Sequence, residues 1–243
     1  MADGVWAWAR AREQDIIIAD AYEDKERWTE LDRDTSEHFY SFQSIEEWPL
    51  DAAVIHRATD QASVLLGSIK AACCLEDISK TLSVKVTGVV TVCAGEMAIR
   101  GAPMDWRRYF EREGVFHIQC HMADTTLKPM DRWIERIPEL ATSTLEQWQA
   151  ICARLWVRYK MAVKEEESIH VLFHCWGGIN RSAGVLCAWL VLAHDFSAEE
   201  AVRLLLEKRP SLRPWHNRPY VLQALWNLER SRAEWQRQVG AVS

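Results

Sequence analysis

From residue 52 onward, short β-branched apolar runs alternate with longer stretches whose apolar residues return every three or four positions. The runs at 53–58 and 62–69 predict two strands, with Thr59-Asp60-Gln61 as the turn between them. Residues 75–80 predict a short helix. The run V-K-V-T-G-V-V-T-V-C at 84–93 is valine-rich and predicts a buried strand, and 115–119 predicts another. A long helix is expected from about Thr142, where Thr144 with Gln147 fits a capping box and Leu145, Trp148, Cys152, Leu155 and Tyr159 follow at helical spacing. Residues 169–173 predict a strand and 182–194 a helix. Ser197 with Glu200 forms a second capping box, opening a helix that Pro210 must end. The last helix spans 219–237, with Leu222, Leu225, Trp226 and Leu228 largely inward. Strands that alternate with helices imply an α/β sheet with helices covering it.

The first 50 residues break this pattern. Trp6, Trp8 and residues 16–18 sit among many charges, too aromatic for a disordered tail. The expected organisation is an N-terminal extension of unknown role over 1–50 and one domain over 51–238. The chain's 243 residues suffice for that. Most of the 13 tryptophans are expected in the core.

Charge narrows the partners. Lys and Arg number 29 against 35 Asp and Glu, a net charge of -6, which argues against nucleic acid. The longest apolar run, 184–193, is too short to cross a bilayer, and the N-terminus lacks the layout of a signal peptide. Seven irregularly spaced cysteines do not suggest a disulfide framework, and no C-x-x-C pair suggests zinc. The expected setting is the cytoplasm, with the nucleus as the alternative.

The chemistry concentrates in V-L-F-H-C-W-G-G-I-N-R-S-A-G-V-L-C-A-W, 171–189. A strand that feeds a glycine-containing loop into a helix N-terminus builds an anion cradle from loop N–H groups and the helix dipole. Cys175 stands at its start, where a helix N-terminus and a nearby cation favour the nucleophilic thiolate. The planar fork of Arg181 can grip two phosphoryl oxygens at once. Gly177 and Gly178 let the backbone turn inward. Ser182 can donate to the cysteine sulfur, and His174 orders the loop by hydrogen bonding. Trp176, Gly177, Gly178, Ile179, Asn180 and Arg181 line the substrate side, with Trp176 able to form a wall of the pocket.

H-C-W-G-G-I-N-R-S at 174–182 resembles the signature of the cysteine-based protein tyrosine phosphatases, in the dual-specificity branch. V-L-L-G-S-I-K-A-A (64–72), V-T-G-V-V-T-V-C-A-G-E (86–96) and R-P-S-L-R-P-W-H-N-R-P-Y-V-L-Q-A-L (209–225) are similar to other segments of that family, so the resemblance covers about 52–230. It implies a central, mostly parallel sheet flanked by helices. It also implies hydrolysis of phosphotyrosine and phosphoserine/phosphothreonine on proteins through a phosphocysteine intermediate, with no cofactor. The family takes its proton donor from a loop between a strand and the long helix. Asp124 in H-M-A-D-T-T occupies that place, with Asp131 and Asp105 as alternatives.

Substrate signals are fewer. The loop carries no basic residue between Cys175 and Arg181, unlike similar phosphoinositide phosphatases, which favours a singly phosphorylated group. Ile179-Asn180-Arg181 also resembles RNA 5′-triphosphatases of the superfamily, although these usually continue with threonine and glycine where Ser182-Ala183 stands. A non-catalytic phospho-binding module is the remaining alternative. Arg209, Arg213, His216 and Arg218 crowd the segment similar to the family's closing loop; they either hold a second phosphate or form a solvated polar loop. Cys93 is either a core residue or, by resemblance, a resolving partner for Cys175 under oxidation.

Overall fold

The computed structural model describes residues 50–93, 106–120, 122, 133–210 and 219–240. Five strands form one sheet: β1 Ala52–Thr59, β2 Ala62–Gly67, β3 Gly88–Thr91, β4 Phe116–Gln119 and β5 Ile169–His174. Their spatial order is β1-β2-β5-β3-β4. Only β1 runs antiparallel to its neighbour, β2, as a two-strand turn requires; the other three pairings are parallel. Both β2 (A-S-V-L-L-G) and β5 (I-H-V-L-F-H) are buried along their whole length. Continuous apolar runs suit interior strands covered on both faces. The register aligns Gly67 and Thr91 with His174, and Thr91 with Gln119, so four strands end along one edge of the sheet. The carboxyl edge of a parallel sheet is where α/β folds place their ligands.

β3 is shorter than the valine run from 84 to 93 predicts. Its length is set by its neighbours. Pairing with β5 starts at Gly88↔Val171 and stops at Thr91↔His174, where β5 gives way to the loop. Gly88 also makes room for β4, since a Cβ there would lie 2.0 Å from the Phe116 ring.

The helices are α1 Ile69–Cys73, α2 Leu75–Leu82, α3 Trp106–Arg112, α4 Trp133–Lys164, α5 Arg181–Ala193, α6 Ala198–Lys208 and α7 Pro219–Gly240. α1 and α3 were not anticipated from the pattern; each is too short for its periodicity to register. α4 begins nine residues before the expected Thr142, so Thr144 and Gln147 do not cap it. Thr144 is buried in mid-helix, and the Thr142 hydroxyl donates to the Pro138 carbonyl over 2.9 Å. Threonine can satisfy itself this way inside a helix, so a Thr-Ser-Thr string need not mark a boundary. Pro138 lies in the second turn, where it removes a single backbone donor. The cap of α6 follows its pattern: Ser197 Oγ accepts from Glu200 N, and the Glu200 carboxylate accepts from Ser197 N.

α5 is the central helix. Eleven of its residues, from Arg181 to Val191, are buried, and it packs against the sheet and against α4, α6 and α7. Gly184 admits α4 closely: a Cβ there would come 2.6 Å from Trp148. Trp148 and Trp189 are core residues as expected, but Trp226 is 52% exposed. Leu225 and Leu228, three positions apart, hold the inner face of α7 and turn Trp226 outward. No helix among the described residues is long and apolar enough to cross a membrane.

Candidate functional site

At the carboxyl edge, the central strand β5 runs into Cys175, and the loop from 175 to 180 delivers the chain to the N-terminus of α5. Cys175 is 3% exposed, and Ser182 Oγ donates to its Sγ over 3.2 Å. Gly178, not Gly177, carries the left-handed turn, with φ of 65°. It is wedged against the end of β2, where a Cβ would sit 2.3 Å from the Gly67 carbonyl oxygen. Only glycine fits both the conformation and the space. The Trp176 carbonyl accepts from Ile69 N over 3.0 Å, which ties the loop to the first turn of α1. Trp176 and Ile179 are half-buried and packed on the core, and Asn180 precedes the first helical residue.

His174 is fully buried, and burial pushes its pKa down to about 4, helped by the Arg181 charge and opposed by the hydrogen bond to Cys175. The neutral ring has one donor. Its Nδ1 lies 3.2 Å from the Cys175 carbonyl, which only accepts, so Nδ1 holds the proton. Nε2 then accepts from the Thr91 hydroxyl at 2.6 Å, and Thr91 Oγ1 in turn accepts from His117 Nε2 at 2.8 Å. Thr91 and His117 thus extend the site into β3 and β4. Neither stood out in the sequence, where both sit inside strand patterns.

Arg181 is 7% exposed, and its Nη1 donates to the Met122 carbonyl over 3.2 Å. This brings the segment after β4 to the arginine at the start of α5. Asp124, Asp131 and Asp105 lie outside the described residues, as do Arg213, His216 and Arg218. Arg209 is described, and it does not stand open to a second phosphate. Its guanidinium, 4% exposed, donates to the Gly178 carbonyl over 3.1 Å and pairs with the Asp51 carboxylate.

The other cysteines differ in setting. Burial pushes Cys73 and Cys120 up to about 12 and raises Cys152 and Cys187, so these are protonated packing thiols. Cys93 is fully buried beyond the end of β3, and none of the seven cysteines is in a disulfide.

Two imidazoles make folding pH-dependent. His194, beside His56 with ring centroids 4.9 Å apart, is held down to about 4 by burial and by His56. His174 and His194 both titrate near 6.5 when unfolded, so the unfolded chain takes up their protons first. Stability is fully present above that range and falls as pH drops toward 4, with a slope of roughly 1.4 kcal/mol per pH unit for each proton. The thermal midpoint should decline between about pH 7 and pH 5.5, and His194→Phe should flatten the decline. A midpoint constant over this range would show that the two rings are not held neutral.

A buried thiol that accepts from Ser182 in the first turn of α5, at the start of a glycine loop joining the central strand to that helix, defines an α/β domain with a cysteine-bearing strand–loop–helix site. Residues 104–224 match the family model of the dual specificity phosphatase catalytic domain. Over 80 residues the chain is 32% identical to protein phosphatase Slingshot homolog 3 of Homo sapiens, a match covering 32% of this chain and 12% of that protein. Over 47 residues it is 45% identical to human dual specificity protein phosphatase 16, covering 19% of this chain and 7% of that protein. The chain therefore spans a small part of the length of these curated relatives. The crystal structure of PTPMT1 in complex with PI(5)P has the same fold, with TM-score 0.50 and 20% identity over 75% of this chain and 97% of that one. The chain belongs to the dual-specificity phosphatases of the cysteine-based protein tyrosine phosphatase superfamily.

Proposed function

We propose that this protein hydrolyses phosphate monoesters on phosphorylated proteins, in the cytoplasm, through a phosphocysteine intermediate. Residues 51–238 act as the catalytic unit and 1–50 as its extension. The Cys175 thiolate attacks phosphorus; the S–P bond forms as the P–O bond to the leaving group breaks, and Asp124 gives that oxygen its proton. Asp124, now a base, activates the water that splits the S–P bond and releases inorganic phosphate. Arg181 holds two phosphoryl oxygens. Ser182 hydrogen-bonds the sulfur as it departs, and its 3.2 Å contact with Cys175 Sγ is the observation that carries this reading.

Protein substrates are favoured by the loop itself. Trp176, Gly177, Gly178, Ile179 and Asn180 offer no cation for a second phosphate. PTPMT1 was solved with PI(5)P, so a lipid is included in the test. The purified chain is expected to turn over p-nitrophenyl phosphate, and phosphotyrosine and phosphothreonine peptides faster than PI(5)P or triphosphate-ended RNA. Tungstate binding without turnover would identify a phospho-binding module instead. Preferred release of γ-phosphate from RNA would identify a triphosphatase, and preferred PI(5)P turnover a lipid phosphatase.

A further inference from the structure

Each trans peptide unit carries its C=O and N–H on opposite sides. An oxyanion cradle therefore requires loop carbonyls turned outward and held there. Three such carbonyls have donors: His174 Nδ1 for Cys175, Ile69 N for Trp176 and Arg209 Nη1 for Gly178. The N–H groups of Trp176, Gly177 and Ile179 accordingly face the other way, away from these donors. The first two donors come from the adjacent ring and from a backbone amide. The third is a charged side chain that reaches back from the C-terminus of α6.

Arg209 is itself held. Its Nη2 pairs with the Asp51 carboxylate, and the Asp51 carbonyl accepts from Ser68 N over 3.0 Å at the turn between β2 and α1. That same turn presents the Gly67 carbonyl against which Gly178 is wedged. Asp51 thus braces the outer wall of the loop through its backbone and through Arg209. We propose that Arg209, oriented by Asp51, is a positioning residue of the cradle: it fixes the Gly178–Ile179 peptide so that its N–H points at the bound oxyanion, and it does not touch substrate. This deepens the phosphatase reading, but its decisive readout is oxyanion affinity rather than turnover.

The full chain is titrated with tungstate by calorimetry, alongside its thermal midpoint and its kcat/KM for p-nitrophenyl phosphate. Arg209→Ala should weaken tungstate binding about 10-fold or more, the equivalent of a lost charge-assisted hydrogen bond, and kcat/KM should fall with it. Leu228→Ala, a cut in the core of α7, should lower the midpoint while tungstate affinity stays at the unmodified value. If Arg209→Ala does not fold, Arg209→Lys decides. A lysine keeps the charge but cannot reach carbonyl and carboxylate as a planar fork does, so affinity should fall severalfold in a folded protein. Unmodified affinity in either folded Arg209 variant overturns the inference, as does a parent chain that binds no tungstate. A parent that binds tungstate without hydrolysing the ester rejects the phosphatase reading, and the Arg209 affinities then still settle this one.

Discussion

Cys175→Ser is expected to abolish turnover and leave tungstate affinity within about 2-fold of the parent chain. The two outcomes separate because the site separates its tasks. In the proposed mechanism the bond to phosphorus is made by sulfur alone, whereas the oxyanion is held by loop N–H groups, the N-terminus of α5 and Arg181. Serine is close to cysteine in shape, and Cys175 is 3% exposed in a packed environment, so the loop has little room to rearrange around the smaller oxygen. A serine hydroxyl is a far weaker nucleophile without an adjacent base, and none of the described contacts supplies one: Ser182 donates to position 175, and His174 is turned to its carbonyl. The variant would therefore retain phosphorylated ligands, and pull-down with it followed by identification of the bound species would name the substrate class. Turnover within 10-fold of the parent would remove Cys175 from the reaction and the phosphocysteine with it.

The sequence exposed the site's centre and hid its frame. Cys175, Arg181, Ser182 and their glycines fall within eight positions, because a strand–loop–helix unit brings its functional groups together locally. What supports the loop comes from afar. Asp51 and Arg209 are 158 residues apart, and Thr91 and His174 are 83 apart. Such pairs leave no spacing signal, and with nothing to place Asp51 beside it, Arg209 reads equally as a second-phosphate contact or as part of a solvated polar loop. Element boundaries failed for a related reason. The length of β3 is decided by β5, and the start of α4 overrides a local Thr-Ser-Thr cap because packing of an amphipathic helix outweighs the preference of one turn.

Asp124→Ala is expected to slow hydrolysis by about 10²–10⁴-fold, the usual loss for a general acid, with a smaller effect on KM. In the sequence Asp124 follows by two residues Met122, whose carbonyl accepts from Arg181. Asp131 is nine positions beyond Met122 and Asp105 seventeen before it. The size of the loss should track the leaving group. A p-nitrophenolate leaves readily as an anion and needs little help, whereas the alkoxide of phosphothreonine must take up a proton as its bond breaks. The variant should therefore lose more activity on a phosphothreonine peptide than on p-nitrophenyl phosphate. Its kcat/KM should also lose the alkaline limb that deprotonation of the acid imposes on the parent. A merely structural role for Asp124 would depress both substrates equally and leave the shape of the profile intact. Equal turnover in parent and variant would transfer the proton to another group, and Asp131→Ala and Asp105→Ala would then be the next measurements.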